Sequence, residues 1–102
     1  MDFVIMEMTP YHISDCAALE GECFSEPWSA QMLMDELNSY FAHYFVAMKN
    51  LHICGYGGYI SVRGEGEITR ILVAKEYRKK GLGCAILDKI IENARAQNIY
   101  RL

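Results

Sequence analysis

The stretch Glu67–Cys84, with the sequence EITRILVAKEYRKKGLGC, joins a strand pattern, a basic loop and the start of a helical pattern. Residues 67–73 are apolar and rich in β-branched side chains, which predicts a buried strand. The basic residues 78–80 and two glycines, Gly81 and Gly83, follow. Such a loop directs backbone N–H groups toward a helix N-terminus, where the dipole favours an anion. The stretch predicts a phosphate or diphosphate cradle, and the alternative is a plain turn capped by glycines.

Two common nucleotide-binding motifs do not occur in this stretch. There is no Gly-x-x-x-x-Gly-Lys-Ser/Thr, which excludes a Walker-type loop. A full Gly-x-Gly-x-x-Gly with an acidic residue about 20 positions later is also absent, which argues against a dinucleotide fold. The dinucleotide interpretation is therefore weak.

Length and composition predict one small domain, residues 1–102, with a packed core. The chain has 102 residues, of which 52% are hydrophobic. The net charge of −3 argues against a nucleic-acid partner. Against this acidic background, the basic residues 78–80 favour a local anion site.

The cysteines and the apolar runs indicate a reducing compartment. The four cysteines are widely spaced, and the sequence contains no Cys-x-x-Cys or Cys/His metal pattern. It also contains no signal-peptide pattern and no run near the ~18 apolar residues of a membrane span. We expect a cytoplasmic protein with free thiols, no metal site and no membrane partner.

The remaining sequence predicts helices and strands in a regular order. A short strand at 3–6 precedes a helix that begins near Pro10 and runs to Phe24, with Glu20 among its outward-facing residues. Ser29 is expected to cap a second helix. The predicted strands at 43–48, 51–62 and 67–73 form an antiparallel meander, followed by a helix at 83–97 and a further strand from 99. Glycines in the 51–62 strand indicate a bulge or a close backbone neighbour.

Two motifs carry a family resemblance. Arg78-x-x-Gly81-x-Gly83, after Ile71-Leu72-Val73, resembles the acetyl-CoA-binding motif of the GNAT N-acetyltransferases. Phe24-Ser-Glu-Pro-Trp-Ser29 resembles a signature of the bacterial ribosomal-protein-alanine N-acetyltransferase branch, between its first two helices. The resemblance implies the GNAT α/β fold, a mixed and mainly antiparallel sheet flanked by helices.

The resemblance also implies roles for individual residues, with acetyl-CoA as cosubstrate. Ile71, Leu72 and Val73 match the strand that pairs with the pantetheine arm, and the backbone N–H of Ile71 matches an oxyanion donor. The residues that match the pyrophosphate loop are Arg78, Lys79, Lys80, Gly81, Leu82, Gly83 and Cys84. Glu67 matches a general-base position in several family members, and the alternative is a surface carboxylate.

The acceptor side rests on the motif at 24–29. The resemblance makes Phe24, Pro27 and Trp28 one wall of the acceptor cleft. The alternative is that Trp28, the only tryptophan, fills the joint between two helices. Both interpretations are compatible with one structure.

The resemblance implies further parts that the sequence does not contain. The family carries a catalytic Glu on the strand after the long helix and a Tyr general acid on the next helix. This sequence ends at Leu102, which predicts a fold without its C-terminal third and with an exposed sheet edge. Such an edge invites pairing, so we expect a homodimer or a domain swap.

Three functions remain open at this point. The first is an acetyl-CoA-dependent N-acetyltransferase acting on a protein N-terminal amine, in particular the alanine of a ribosomal protein. The second is a catalytically incompetent fragment that binds CoA or associates with itself. The third is an acetyltransferase for a small amine.

Overall fold

A four-stranded antiparallel sheet forms the centre of the protein, with strands in the order β1-β2-β3-β4. The computed structural model describes residues 3–102. The strands are β1 (Val4–Glu7), β2 (Ala42–Lys49), β3 (His52–Val62) and β4 (Glu65–Val73), and the helices are α1 (Ile13–Cys23), α2 (Ala30–Leu37) and α3 (Leu82–Ala96). Short 3-10 turns cover Pro10–His12 and Lys75–Tyr77. This arrangement confirms the predicted α/β fold.

The two faces of the sheet are buried by different helices. Tyr44 and Val46 of β2 belong to the cluster that includes α1 and α2, whereas Phe45 and Ala47 pack with α3. All four side chains are buried. Because helices cover both faces of the sheet, apolar side chains of β2 are buried on both faces, and its sequence is a nearly continuous apolar run. Full burial of each large apolar side chain stabilises the fold by about 1.5–3 kcal/mol.

Local signals position the helix ends much as the sequence predicts. The side chain of Ser29 accepts a hydrogen bond from the backbone N–H of Met32 at 3.1 Å, which caps α2. Helix α3 begins after Gly81, whose φ of +80° lies in the left-handed region that favours glycine. Helix α1 ends at Cys23, one residue before the predicted Phe24.

Strand β4 contains a bulge. Its register with β3 shifts between Gly58 and Tyr59, so that Thr69 is the extra residue. A Cβ at Gly58 would lie 2.6 Å from the backbone carbonyl oxygen of His43, which confirms that this glycine has a close backbone neighbour. The register between β2 and β3 also shifts, between Ala47 and Met48 of β2, and here the extra residue lies on β3. The glycines therefore indicated irregular pairing correctly, although one of the two extra residues lies on the neighbouring strand.

The predicted strand at 99–102 appears only as a single bridge. Arg101 pairs in parallel with Glu65, and the carbonyl of Arg101 accepts a hydrogen bond from Gly66 at 2.6 Å. This contact lies before the bulge of β4. Beyond the bulge, no other strand of residues 3–102 pairs with the outer edge of β4. None of the helices formed by these residues is long and apolar enough to cross a membrane.

Candidate active site

The outer edge of β4 presents backbone N–H groups after the bulge. The N–H of Ala74 donates to the carbonyl of Cys54 at 2.8 Å. In an antiparallel pair, residues that bond to the partner alternate with residues that do not. Counting back from Ala74 along the register with β3, Leu72 is the next residue that bonds to β3. The N–H groups of Ile71 and Val73 alternate with these bonded residues and therefore point away from β3. The edge therefore presents the N–H of Ile71 to the outside, as the oxyanion-donor prediction requires.

The loop between β4 and α3 continues this row of donors. The N–H groups of Leu82, Gly83 and Cys84 lie in the first turn of α3, where they have no partner inside the helix. Positive φ values at Lys79 and Gly81, of 63° and 80°, turn the chain sharply before this helix. The side chains of Lys79, Lys80 and Cys84 are exposed, whereas Leu82 is buried in the core.

Space around Gly83 is open. The nearest atom to a Cβ built at Gly83, among the described residues, is Cγ2 of Val73 at 3.8 Å. Internal packing therefore does not require glycine here. A bare backbone does leave the donors of this turn accessible to a phosphate, so the residues present fit the pyrophosphate of a bound CoA.

Arg78 occupies a different place from the other predicted phosphate-loop residues. Its Nε donates to the carbonyl of Val73 at 3.0 Å, and its Nη2 lies 3.4 Å from Sγ of Cys23. These contacts fasten the loop to the end of β4 and to α1. A contact between Arg78 and a phosphate stays a prediction.

Glu67 lies before the bulge of β4, and its side chain is exposed. It lines an open groove of about 410 Å³ together with residues such as Ile60 and Leu102. The general-base interpretation relied on partial burial of this carboxylate, and the structure does not show that burial. A catalytic role for Glu67 stays a prediction.

The largest departure from the sequence interpretation is Glu20. It was expected to face outward from α1, but its exposed fraction is 0%. Arg70 of β4 donates to its two carboxylate oxygens, with Nε at 3.0 Å and Nη2 at 2.8 Å. The hydroxyl of Tyr56 and the backbone N–H of Trp28, the latter at 2.9 Å, also donate to it. A buried carboxylate is tolerated because four donors replace its water.

These contacts determine the charge state of the cluster. Burial alone would raise the pKa of Glu20, but the hydrogen bonds from Arg70, Tyr56 and Trp28 outweigh it and hold this pKa below its ordinary value. Burial, together with the neighbouring Glu20 carboxylate, raises the pKa of Tyr56 well above its usual range. Glu20 is therefore an ionised hydrogen-bond acceptor with its oxygens occupied, and it is not available as a general base.

Aromatic rings from the segment 24–29 enclose the guanidinium of Arg70. Its carbon lies 4.5 Å from the ring centroid of Phe24 and 4.2 Å from that of Trp28. Trp28 also packs against the core cluster of α1 and α2, as a residue in the joint between these helices would. Phe24 and Pro27 are exposed. The segment is thus fastened to β4, and its contact with an acceptor stays a prediction.

Sequence reasoning missed Glu20, Arg70 and Tyr56. Arg70 stands in the strand EITRILV as its only cation, and that is the signal which pointed to a buried partner. Its partner Glu20 is 50 positions away in the sequence, so no local pattern connects them.

Comparison with known proteins assigns the fold and the family. A Bacillus subtilis (strain 168) protein, which carries the provisional name ribosomal protein bS18-alanine N-acetyltransferase, is 32% identical over 85 residues, which are 82% of this chain and 56% of that protein. The crystal structure of the Escherichia coli ribosomal-protein-S18-alanine N-acetyltransferase superposes with a TM-score of 0.86 at 18% identity, over 95% of this chain and 62% of that one. The chain therefore spans less than two thirds of the length of either protein.

A third similarity concerns the cofactor. The structure of the PaiA N-acetyltransferase from Thermoplasma acidophilum, in complex with coenzyme A, superposes with a TM-score of 0.85 at 14% identity, over 97% of this chain and 76% of that one. At such identities the superposition shows the fold alone. The sequence model of the Acetyltransferase (GNAT) family matches residues 13–102, nearly the whole chain. On that match, the chain belongs to the GNAT acetyltransferase family.

Proposed function

We propose that this protein acts in acetyl transfer from acetyl-CoA to the N-terminal amine of a protein, in particular the alanine of a ribosomal protein. One observation carries the proposal. The outward N–H of Ile71 on β4 leads, within one short loop, to the unpaired N–H groups at the start of α3. Ile71 can thus donate a hydrogen bond to a carbonyl group, and the start of α3 can donate hydrogen bonds to a phosphate.

The backbone of β4 would act on the reacting group. Acetyl-CoA, when bound, would supply an acetyl thioester: the amine nitrogen would form a bond to the carbonyl carbon, the C–S bond would break, and CoA would leave as the thiol with the proton that the amine loses. The N–H of Ile71 would donate to the carbonyl oxygen as that oxygen gains charge, which is the stabilisation that a preorganised donor provides. Ile71 and Val73 offer the edge donors that can pair with the pantetheine amides, since both point away from β3.

The loop and the first turn of α3 would hold the pyrophosphate. The N–H groups of Leu82, Gly83 and Cys84 supply donors, and the helix dipole adds partial positive charge. Lys79 and Lys80 are exposed beside this turn and attract the anion at longer range. This part of the proposal depends on backbone geometry more than on side-chain identity.

The acceptor assignment rests on similarity and on the segment 24–29. The Bacillus subtilis and Escherichia coli proteins are named for alanine acetylation of a ribosomal protein. Phe24 and Trp28 lie on the side of β4 next to Arg70, the residue before Ile71. An acceptor resting on these rings would approach the Ile71 end of the edge. The free thiols of all four cysteines agree with the cytoplasmic location expected for such an activity.

A substrate panel tests this proposal. The purified protein is incubated with acetyl-CoA and either a peptide that begins with alanine, the same peptide with a blocked N-terminus, spermidine or an aminoglycoside. Mass spectrometry then detects an added acetyl group. Acetylation of the free peptide alone supports the proposal. Acetylation of the amines but not the peptide would replace it with small-amine acetylation, and binding of CoA without any product would leave a binding function only.

A further inference from the structure

A cluster of side chains around Arg70 connects α1, the segment between α1 and α2, β3 and β4. This Arg70 cluster consists of Glu20, Phe24, Trp28, Tyr56 and Arg70. Arg70 makes two hydrogen bonds to Glu20, and its guanidinium carbon lies over the rings of both Phe24 and Trp28. The backbone N–H of Trp28 reaches the same carboxylate. These contacts of Phe24 and Trp28 therefore converge on the guanidinium of Arg70 and on its counter-ion, Glu20.

Arg70 directly precedes Ile71 in β4, so the contacts of its side chain affect the outer edge of this strand. The N–H of Ile71 belongs to the peptide group that joins Arg70 to Ile71. Arg70 also follows Thr69, the extra residue of the bulge. A side chain anchored at this point links the aromatic segment to the peptide group whose N–H faces the outer edge.

We infer that Arg70 is a positioning residue, which holds the Phe24–Trp28 wall at a set distance from the N–H of Ile71. The inference rests on the proposed function, because it assigns the wall to the acceptor and the N–H to the acetyl group. Arg70 itself need not touch either reactant. Its guanidinium is committed to Glu20 and to the two rings, and its side chain is only 20% exposed.

The chemistry of the cluster calls for arginine and not simply for a cation. A guanidinium is planar, so it can bridge both oxygens of Glu20 while it lies over the rings of Phe24 and Trp28. A lysine ammonium keeps the charge opposite Glu20, but it cannot form the same fork or stack. Arg70→Lys is therefore expected to leave the ion pair in place and to release the rings.

Trp28 is the only tryptophan in the chain, so its fluorescence reports on the wall without any need for catalysis. In Arg70→Lys, we expect acrylamide to quench Trp28 about twice as strongly as in the wild type, because the stacked guanidinium no longer covers the ring. Arg95→Lys is the matched control, since Arg95 is exposed on α3 and has no ion pair among the described residues. Its quenching should equal that of the wild type.

Enzyme kinetics distinguish a positioning role of Arg70 from a purely structural one, because only the positioning role predicts a selective change in KM for the peptide. Arg70→Lys should raise KM for the alanine peptide about tenfold, with kcat changed less than about threefold. Its dissociation constant for acetyl-CoA, measured by calorimetry, should stay within about twofold of wild type, because the cradle at 79–84 is untouched. Equal losses of peptide and acetyl-CoA affinity would overturn the inference, and so would unchanged quenching of Trp28.

A second variant keeps the test decisive if Arg70→Lys does not fold. Phe24 is exposed, so Phe24→Leu removes one ring of the stack without altering the ion pair. Quenching of Trp28 should again rise, and unchanged quenching would count against the cluster. If the wild type acetylates no amine, the proposed function fails, while the quenching results still decide whether Arg70 positions the wall.

Discussion

The hydroxyl of Tyr44 lies 2.7 Å from the hydroxyl of Thr69, the extra residue in the bulge of β4. Tyr44 also donates a hydrogen bond of 2.6 Å to the carboxylate of Glu36 on α2. Burial raises the pKa of Tyr44 well above its usual range, and the Glu36 hydrogen bond adds to this effect. The neutral phenol of Tyr44 thus connects the bulge of β4 to α2 through two hydrogen bonds.

Removing this hydroxyl should weaken the fold. We expect Tyr44→Phe to lower the free energy of unfolding by about 1–3 kcal/mol, because Thr69 and the half-buried Glu36 both lose a partner. Urea denaturation measures the change. Tyr40→Phe is the control, since Tyr40 is 90% exposed. If both variants unfold at the same urea concentration, the bulge does not depend on this hydroxyl.

The acid limit of stability should depend on Glu20. Its pKa in the folded protein is lower than the ordinary value of 4.5, so its ionisation favours the folded state above that pH. This contribution is lost as the pH falls through the folded pKa. We expect the unfolding free energy of the wild type to decline below about pH 4.5 and that of Glu20→Gln to decline less steeply.

The same variant should be less stable at pH 7. Replacing the carboxylate leaves the charge of Arg70 without its counter-ion in a mostly buried place, at a cost of up to about 3–5 kcal/mol. Urea titrations between pH 7 and about pH 3 measure both effects. Glu22→Gln, an exposed change on the same helix, should follow the wild type. Identical pH profiles for wild type and Glu20→Gln would show that the ion pair does not set the acid limit.

The alkaline limit should reflect the buried phenols. Burial raises the pKa values of Tyr44, Tyr56 and Tyr59 above the ordinary 10.0. Groups with a raised pKa contribute stability below pH 10 that is lost as the pH rises through their folded-state values. Ultraviolet absorbance should show these three phenols ionising only together with unfolding, which circular dichroism follows in the same samples. Ionisation of these phenols while the protein stays folded would contradict this.

Much of this structure follows from local sequence signals. The strand at 67–73, the glycines after it and the helical stripe beyond them each have a short-range physical cause. The cap at Ser29 is likewise readable from its neighbours, because a side-chain oxygen there reaches an N–H three residues later. These features also position the edge of β4 and the donors at the start of α3.

The interior of the site does not follow from such signals. A glutamate on an amphipathic helix is normally exposed, which is why Glu20 was expected outside. Its burial depends on Arg70 and on the segment 24–29, which meet it only after the chain has folded. The bulge at Thr69 is only partly similar: the glycines of β3 predicted irregular pairing, but the extra residue lies on the opposite strand. Long-range pairing decided where Glu20 and the extra residue lie.

Bulk at Gly83 should block the phosphate cradle without harming the fold. A Cβ built there has only Cγ2 of Val73 within 4 Å among the described residues, at 3.8 Å, so we expect Gly83→Leu to fold normally. Calorimetry should show at least about a tenfold loss of CoA affinity, because the side chain takes the space beside the N–H donors. Gly21→Leu is the matched control, as a helical glycine with nothing within 4 Å. Retained affinity in Gly83→Leu would contradict the cradle.

The cysteines offer a test of the same cradle by chemical labelling. Burial, together with the neighbouring carboxylates of Asp15 and Glu20, raises the pKa of Cys16 to about 12, so its thiol should react very slowly with iodoacetamide. Cys84 is exposed in the first turn of α3 and should be alkylated first. Because Cys84 lies among the proposed phosphate donors, saturating acetyl-CoA, whose sulfur is a thioester and does not consume iodoacetamide, should slow its alkylation at least about tenfold. Mass spectrometry follows each site, and denatured protein, in which all four cysteines react, provides the reference. An alkylation rate at Cys84 that does not respond to acetyl-CoA would mean that the pyrophosphate lies elsewhere.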